Sequence, residues 1–409
     1  MLRWIIFVLI YLGLSFYIVQ ALRSLFRQPW VYLIYIPVSM AVLINFIYQF
    51  TAGEEAGRVL SRPKSYAFGF LLTMLSFKLV IILFLFSEDI FRLLSGTYQK
   101  LFGASKEFSL PERRRFLAMI AMGIAALPFG ALLYGMYKGK YNFKVLKYTL
   151  EYEDLPDSFD GYQITQISDI HSGSFDDRKK IEYGVDLINR QKSDVLLFTG
   201  DMVNNKTEEM LPWAELFSTL EAKDGKFSVL GNHDYGDYIP WETEELKQQN
   251  LQDLKDLQRN IGFDLLLNEH RYLQKGKDRI ALVGVENWGK GGFKKAGDLK
   301  KASSEIHPDD FTILMSHDPS HWSEEVLHDD KHYHLTLSGH THGMQFGIEI
   351  PGWIKWSPVK WRYPHWAGIY KELGQFINVN RGFGFLGYPG RVGIWPEITV
   401  ITLKKKSLT

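Results

Sequence analysis

A chain of 409 residues with 47 Lys and Arg against 46 Asp and Glu has a formal net charge of +1, which leaves no electrostatic footprint for nucleic acid as a partner. It contains no cysteine, which excludes disulfides and thiolate metal sites and leaves the redox compartment open. The length exceeds one ordinary domain, and the two parts differ: all 12 histidines fall between His171 and His365, whereas the long apolar runs lie before residue 138.

In chain order, four apolar runs come first, at 4–22, 30–50, 66–86 and 116–137, each close to the roughly 20 residues that a helix needs to cross a bilayer. Trp4, Trp30, Tyr48, Tyr66 and Tyr137 stand near their ends, where amphipathic rings settle at headgroup level. No small-x-small cleavage site follows the first run, and three more runs come after it, so it reads as an uncleaved anchor. Lys78 falls near the middle of the third run, and none of the four runs holds an acidic residue to pair with it. It is either a functional site or a lysine reaching for an interface or a polar neighbour.

Four spans put both termini on one side, and the loop cations tie. Arg3, Arg58, Arg62, Lys64, Lys138, Lys140, Lys144 and Lys147 stand against Arg23, Arg27, Arg92, Lys100, Lys106, Arg113, Arg114 and Arg115. The segment Arg113-Arg114-Arg115-Phe116-Leu117 resembles the R-R-x-F-L export motif, which favours a cell-membrane protein with an extracytoplasmic domain after Tyr137. Read as an ordinary basic flank of a membrane helix, the same residues carry no such information.

Residues 138–160 read as a linker with a first strand around Lys144–Glu151, and 405–409 as a tail. From 161 to 404, short β-runs alternate with helical patterns, the signature of an α/β layered domain. Five β-runs end in polar clusters: Asp169-Ile170-His171, Gly200-Asp201, Gly231-Asn232-His233-Asp234, His317-Asp318 and Gly339-His340-Thr341-His342. In open α/β sheets the functional crevice lies beyond the carboxyl ends of strands, where all five would fall. Trp241–Asn260 has the spacing of an amphipathic helix with a solvated charged face. The loop 286–309, with Lys290, Lys294, Lys295, Lys300 and Lys301, suits either anionic groups or plain solvation. Trp353, Trp356, Trp361, Tyr363 and Trp366 alternate with Lys355, Lys360 and Arg362, a mixture that fits a membrane interface or the packing of a long loop.

The strand-end side chains Asp169, His171, Asp201, Asn232, His233, His317, His340 and His342 form a sulfur-free donor set suited to Mn, Fe or Zn. They are too many for one ion. Two cations about 3.5–4 Å apart would need a shared anionic ligand, and an aspartate between the two sets can bridge.

The five clusters, in this order, resemble the calcineurin-like metallophosphoesterases over about Gly161–Lys404, and the similarity is to their membrane-anchored bacterial branch. Asn378-Val379-Asn380-Arg381-Gly382 and Trp395-Pro396-Glu397-Ile398 are similar to that branch too. The resemblance implies a four-layer sandwich of two mixed β-sheets flanked by helices, following a bundle of four transmembrane helices. It implies that Asp169, His171, Asp201 and His342 hold a first metal and that Asp201, Asn232, His317 and His340 hold a second. His233 would be the catalytic general acid, Asn232, His233 and Arg381 would contact substrate, and a water bridging the metals would be the nucleophile. The implied reaction is hydrolysis of a phosphate ester or pyrophosphate bond, and membrane tethering favours a lipid or another envelope-related substrate. Two alternatives stand beside it: a UDP-2,3-diacylglucosamine pyrophosphohydrolase-like enzyme of lipid A synthesis, and a metal-bound sensor module with little turnover. The oligomeric state is left open. Two departures are notable. Asn204 stands where many relatives carry an aspartate that orients the catalytic histidine, and Met344 stands where a glycine is common, either at the pocket lip or packed.

Overall fold

A computed structural model describes residues 2–52, 59–102, 111–350 and 352–406. Of the loop cations counted above, Arg58 and Lys106 lie outside the described residues, as do residues 407–409 of the tail. The chain divides into two compact units, Met1–Glu54 with Pro63–Tyr137, and Glu55–Arg62 with Lys138–Thr409.

In the first unit the apolar runs become α1 (Leu2–Leu25), α2 (Trp30–Thr51), α3 (Arg62–Phe102) and α4 (Pro111–Tyr137). All four are long and apolar enough to cross a membrane, with mean hydropathies of 2.0 to 2.4. At 41 residues α3 runs well past the expected end at 86, because no proline interrupts Ser87–Phe102 and its Leu, Glu, Arg, Gln and Lys residues favour helix. Ala118, Ala121 and Ala125 of α4 share one helix face and pack with Ile18, Ala21 and Leu22 of α1 and Ile81 and Leu85 of α3. Small side chains at that spacing let helices approach closely without a hydrophobic drive between them.

Lys78 is fully buried in this bundle. Its ammonium donates to Ser15 Oγ at 2.7 Å on α1 and to Ser39 Oγ at 2.9 Å on α2, and it lies 3.2 Å from the Tyr11 ring centroid. It therefore does not snorkel; hydroxyls and a π-face replace the missing carboxylate. Arg113 pairs with Glu88 at 3.2 Å and Arg114 pairs with Asp89, so both arginines of the export-like motif have partners on α3. Those acids lie just past the apolar run in which none was found.

The second unit is an α/β sandwich. Its first sheet joins β1 (Lys144–Tyr152), β2 (Gln163–Ile167), β3 (Val195–Phe198), β4 (Lys226–Ser228) and β5 (Asp264–Leu265) with the last strand of the chain. The second sheet begins with β6 (Glu269–Lys275), β7 (Asp278–Gly284), β8 (Thr312–Met315) and β9 (Leu335–Ser338). A separate hairpin, β10 (Ile348–Ile350) and β11 (Ile354–Trp356), precedes β12 (Gly368–Glu372), β13 (Gln375–Val379) and β14 (Glu397–Lys405). The strand orders are β1-β14-β2-β3-β4-β5 and β12-β13-β9-β8-β7-β6. Within them β2, β3 and β4 run parallel, as do β7, β8 and β9. Every cluster found at a strand end thus leaves its sheet from a carboxyl edge.

Alternate residues of these strands serve different layers. Val195 and Leu197 face Ile313, Met315, Leu335 and Leu337 in the core between the sheets. Leu196 and Phe198 face helices α5 (Arg178–Asn189), α6 (Ala214–Ser218) and α7 (Glu244–Asn260). Leu314 faces α8 (Leu299–Ser303) and α9 (Ser320–Glu324) on the far side. Strands covered on both faces read as continuous apolar runs rather than alternating ones. β1 is an edge strand of the first sheet, paired parallel with β14 from Lys144↔Glu397 to Tyr152↔Lys405. Of the aromatic and cationic stretch, Tyr363 and Trp366 are buried in a cluster with Ile394, while Trp353 and Trp361 are exposed.

The Lys78 environment makes a test. Lys78→Met removes the buried charge together with its need for acceptors, and the bundle keeps or gains stability. Ser15→Ala with Ser39→Ala instead strands the ammonium and lowers stability by about 1–3 kcal/mol. Thermal unfolding of the full chain in detergent reads both, and the order of the two variants is the decisive comparison.

Candidate metal centre

Three tight turns place the donors. Asp201 follows β3 through Gly200 (φ +95°), where a side chain would run into Gly231; a Cβ at Gly231 would in turn lie 2.6 Å from the Asp201 backbone nitrogen. At Gly339 a Cβ would collide with Ser168 and the Asp169 carboxylate. The glycines preceding Asp201, Asn232 and His340 are there because two loops cross with no room for a methyl group. Asp169, His171, Asp201, His340 and His342 all have left-handed backbones, with φ of 52°, 48°, 61°, 69° and 50°. Five strained non-glycine residues in one cluster mark a site where the surrounding structure imposes a geometry the chain would not choose.

The donor atoms gather tightly. His342 Nε2 lies 3.2 Å from Asp169 Oδ1 and 3.0 Å from His171 Nε2. Asp201 Oδ2 lies 3.6 Å from His171 Nε2 and 3.1 Å from His317 Nε2, between one group of donors and the other. Asn232 Oδ1 lies 2.7 Å from His340 Nδ1. Asp169, His171 and His342 form one cluster with the spacing of metal ligands, and Asp201, His317 and His340 form another. His171, Asp201 and His233 are a third such group.

The partners of these donors suit a cation. His317 gives its Nδ1 proton to the Thr199 carbonyl at 2.7 Å, which leaves Nε2 facing Asp201 Oδ2 at 3.1 Å. His171 Nδ1 is buried with no hydrogen-bond partner. His340 Nε2 is held by Tyr363 Oη at 2.8 Å, beside Asp318 at 3.4 Å, which frees Nδ1 to ligate. Asn232 spends its amide N–H on Tyr238 Oη at 2.8 Å and turns its oxygen inward. Outer groups that fix tautomer and orientation are typical of metal sites. The Asp234 carboxylate accepts from the backbone N–H groups of Gly231, Asp201 and Met202 at 2.8–2.9 Å, tying the β3 and β4 loops together.

The electrostatics agree. Burial opposes charge on Asp169 and Asp201, yet the imidazoles of His342 and His317 hold the first carboxyl below its usual range, and those of His317 and His233 hold the second. Against its own burial, His317 is raised to about 10 by the Asp201 carboxylate. Burial pushes His171, His233 and His340 down, and at His171 and His340 this favours the neutral ring that can donate a lone pair. These groups share protons that a divalent ion, held by Asp169, His171, Asp201, His317, His340 and His342, would replace.

The family models that match are "Probable Calcineurin-like phosphoesterase, transmembrane domain" over residues 2–140 and "Calcineurin-like phosphoesterase" over residues 162–344. The uncharacterized metallophosphoesterase YkuE of Bacillus subtilis (strain 168) is 30% identical over 304 residues, 71% of this chain and 97% of that one. The chain belongs to the calcineurin-like metallophosphoesterases. An uncharacterized metallophosphoesterase of Aquifex aeolicus (strain VF5) is also 30% identical, over 68% of this chain and 99% of that one. A transmembrane protein with metallophosphoesterase domain from Danio rerio is 27% identical, over 72% of this chain and 63% of that one. This metallophosphoesterase is therefore a membrane-associated hydrolase of phosphoester bonds, of a family that uses divalent metals.

Its fold brings seven expected ligands together and puts His233 beside them: a cavity of about 420 Å³ is lined by His171, Asp201, Asn232, His233, His340 and His342 among others. Two expectations change. Arg381 is not among the residues lining the cavity; its guanidinium is buried and taken by Glu349 at 2.6 Å and Glu397 at 2.5 Å. The Asn378–Gly382 motif instead joins the sheets. Asn378 bonds Gln166 Oε1 at 2.6 Å, Asn380 bonds Thr399 Oγ1 at 3.0 Å, and Arg381 holds the Glu397 of the other motif. Met344 is 54% exposed and lies neither at the cavity nor in the core. Tyr238, Asp318 and Tyr363 escaped the sequence reading as supports of the donors; Asp318 stood beside His317 in plain view, whereas Tyr363 is distant in sequence and unsignalled.

At the Asn204 departure the His233 ring still finds a partner. His233 gives its Nδ1 proton to the backbone carbonyl of Asn204 at 2.9 Å, while the Asn204 side chain bonds Ser174 Oγ at 3.1 Å. Half-buried Glu209 gathers the N–H groups of Asn204, Asn205 and Lys206 and so shapes the loop that aims this carbonyl.

Two outcomes follow. Asn204→Ala keeps kcat within roughly tenfold, because the carbonyl survives, whereas His233→Ala costs about 10²–10⁴-fold; steady-state kinetics on any turned-over ester separates them. Gly339→Ala drives a methyl group into the Asp169 carboxylate and lowers bound metal per chain, measured by elemental analysis of the purified protein.

Proposed function

We propose that this site holds two divalent ions and hydrolyses a phosphate ester or pyrophosphate bond. The observation carrying the proposal is the position of Asp201 Oδ2, within 3.6 Å of His171 Nε2 and 3.1 Å of His317 Nε2. A carboxylate oxygen between two donor sets suits a shared ligand, with Asp169, His171 and His342 on one side and Asn232, His317 and His340 on the other. Mn, Fe and Zn all suit donors of this kind. When bound, such ions neutralise phosphoryl oxygens and bring the proton of a coordinated water within reach of neutral pH.

The chain's own residues supply the rest. Asp201 is kept from turning by the His233 backbone N–H, which donates to its other oxygen at 2.8 Å. The His233 ring, held through Nδ1, leaves Nε2 as its working nitrogen, placed to bond the phosphoryl group and protonate the leaving oxygen. The Asn204 carbonyl that accepts from Nδ1 stabilises the protonated ring less than a carboxylate would. In the reaction a water oxygen bonds to phosphorus, the ester or anhydride P–O bond breaks, and the leaving oxygen takes a proton.

Four spans in the same chain support a substrate drawn from the bilayer, a lipid or an envelope precursor. The Arg113–Leu117 flank supports an extracytoplasmic catalytic unit, although pairing with Glu88 and Asp89 gives two of these arginines a structural use as well. Because the chain lacks cysteine, Lys277→Cys on the exposed β6–β7 turn reports the side directly: labelling of intact cells by an impermeant maleimide supports the outside, and labelling only after lysis overturns it.

The activity is tested on the purified full chain, stripped of metal and then given Mn²⁺ or Zn²⁺, with bis-p-nitrophenyl phosphate, p-nitrophenyl phosphate and a lipid pyrophosphate. Metal-dependent turnover is expected, and Asp201→Ala and His233→Ala are expected to abolish most of it. Two ions bound per chain with no turnover on any substrate would shift the assignment to a sensor module.

A further inference from the structure

The cavity over the metal donors is not lined by strand-end loops alone. Val59, Leu60, Phe293 and Leu386 also line it, and all four are half-buried. Val59 and Leu60 lie just before α3 and belong to the same compact unit as the donors. They are anchored there: the Arg62 guanidinium donates to the carbonyl of Phe175, the residue that closes the short turn after His171. No lysine or arginine is among the described residues lining the cavity.

This lining is selective. The phosphoryl oxygens of a substrate seek cations and N–H donors, and four aliphatic or aromatic side chains offer them nothing. A polyanion, such as a nucleoside polyphosphate or a nucleic acid strand, finds no side-chain cation for its further charges among the described residues of this lining. A substrate with an apolar substituent beside the phosphorus gains from every methylene it lays against this wall, roughly fourfold in apparent affinity for each one removed from water.

We propose that the substrate is an amphiphilic phosphoester carrying a single phosphoryl charge centre, whose apolar substituent packs on Val59, Leu60, Phe293 and Leu386. The segment before α3 is then a specificity element, contributed by a part of the chain outside the α/β sandwich. The proposal rests on the phosphoester-hydrolase reading of the same site.

The test uses the metal-loaded full chain and p-nitrophenyl esters of methyl, butyl and hexyl phosphate, which share one leaving group and differ only in the apolar arm. For the unaltered chain kcat/KM is expected to climb at least tenfold from methyl to hexyl, mostly through KM. Leu60→Ser and, separately, Leu386→Ser are expected to cut the hexyl-to-methyl ratio at least threefold. Equal kcat/KM for methyl and hexyl esters, or a ratio untouched in both variants, overturns the proposal. Calorimetric binding of methylphosphonate and hexylphosphonate asks the same question without turnover. A preference for the longer phosphonate that both variants lose supports the apolar wall even if no ester is hydrolysed, a result that would count against the hydrolase reading alone; equal binding of the two phosphonates overturns the wall.

Discussion

Asp201 is where the chemistry of the two sheets meets. It leaves the carboxyl edge of β3 in a left-handed turn, gives one oxygen to the His233 N–H, and presents the other to His171 from its own sheet and His317 from the opposite one. Buried carboxylates and imidazoles at such separations repel, or remain short of partners, unless protons or cations sit between them. The neighbouring features accommodate that demand: glycines where loops cross, carbonyls that take the outward imidazole protons, and the Asp234 carboxylate gathering the N–H groups of both loops.

The strain at Asp169, His171, Asp201, His340 and His342 belongs to the same picture. Left-handed backbones at non-glycine residues cost roughly 1–3 kcal/mol each, and they persist only where the surroundings over-determine them. Here the surroundings are two rigid sheets whose inner faces interlock through Val195, Leu197, Ile313 and Met315, and whose buried Gln166, Asn378, Asn380 and Thr399 bond to one another. Arg381 and Glu397 add a buried ion pair to that junction. A motif that resembles others by its sequence can thus serve the frame and not the substrate.

The helical unit solves a different problem with related means. An ammonium inside an apolar bundle needs acceptors, and Ser15 and Ser39 provide them in place of the carboxylate a sequence reader looks for. Hydroxyls give a weaker partner than a carboxylate but add no second charge to desolvate. Elsewhere in the same unit Glu88 pairs with Arg113 and Asp89 with Arg114.

Much of this was legible in the linear chain. Four runs of span length, five polar clusters after apolar β-runs and a sulfur-free donor set are local patterns, set by helix rise, strand pleat and ligand chemistry within a few residues, and they pointed to the four apolar helices, the layered domain and the polar side chains that the fold gathers. What required the tertiary structure was every relation between distant residues. Only there does His233 find the Asn204 carbonyl, His340 find Tyr363 and Asp318, and Arg381 turn away to Glu349 and Glu397. The same holds for Val59 and Leu60, whose sequence is an unremarkable connection between helices and whose place in the cavity lining follows from the fold. Sequence spacing encodes the direction a side chain takes from its own strand or helix; which partner it meets depends on how two sheets and their loops pack, and packing is decided by the whole buried surface at once.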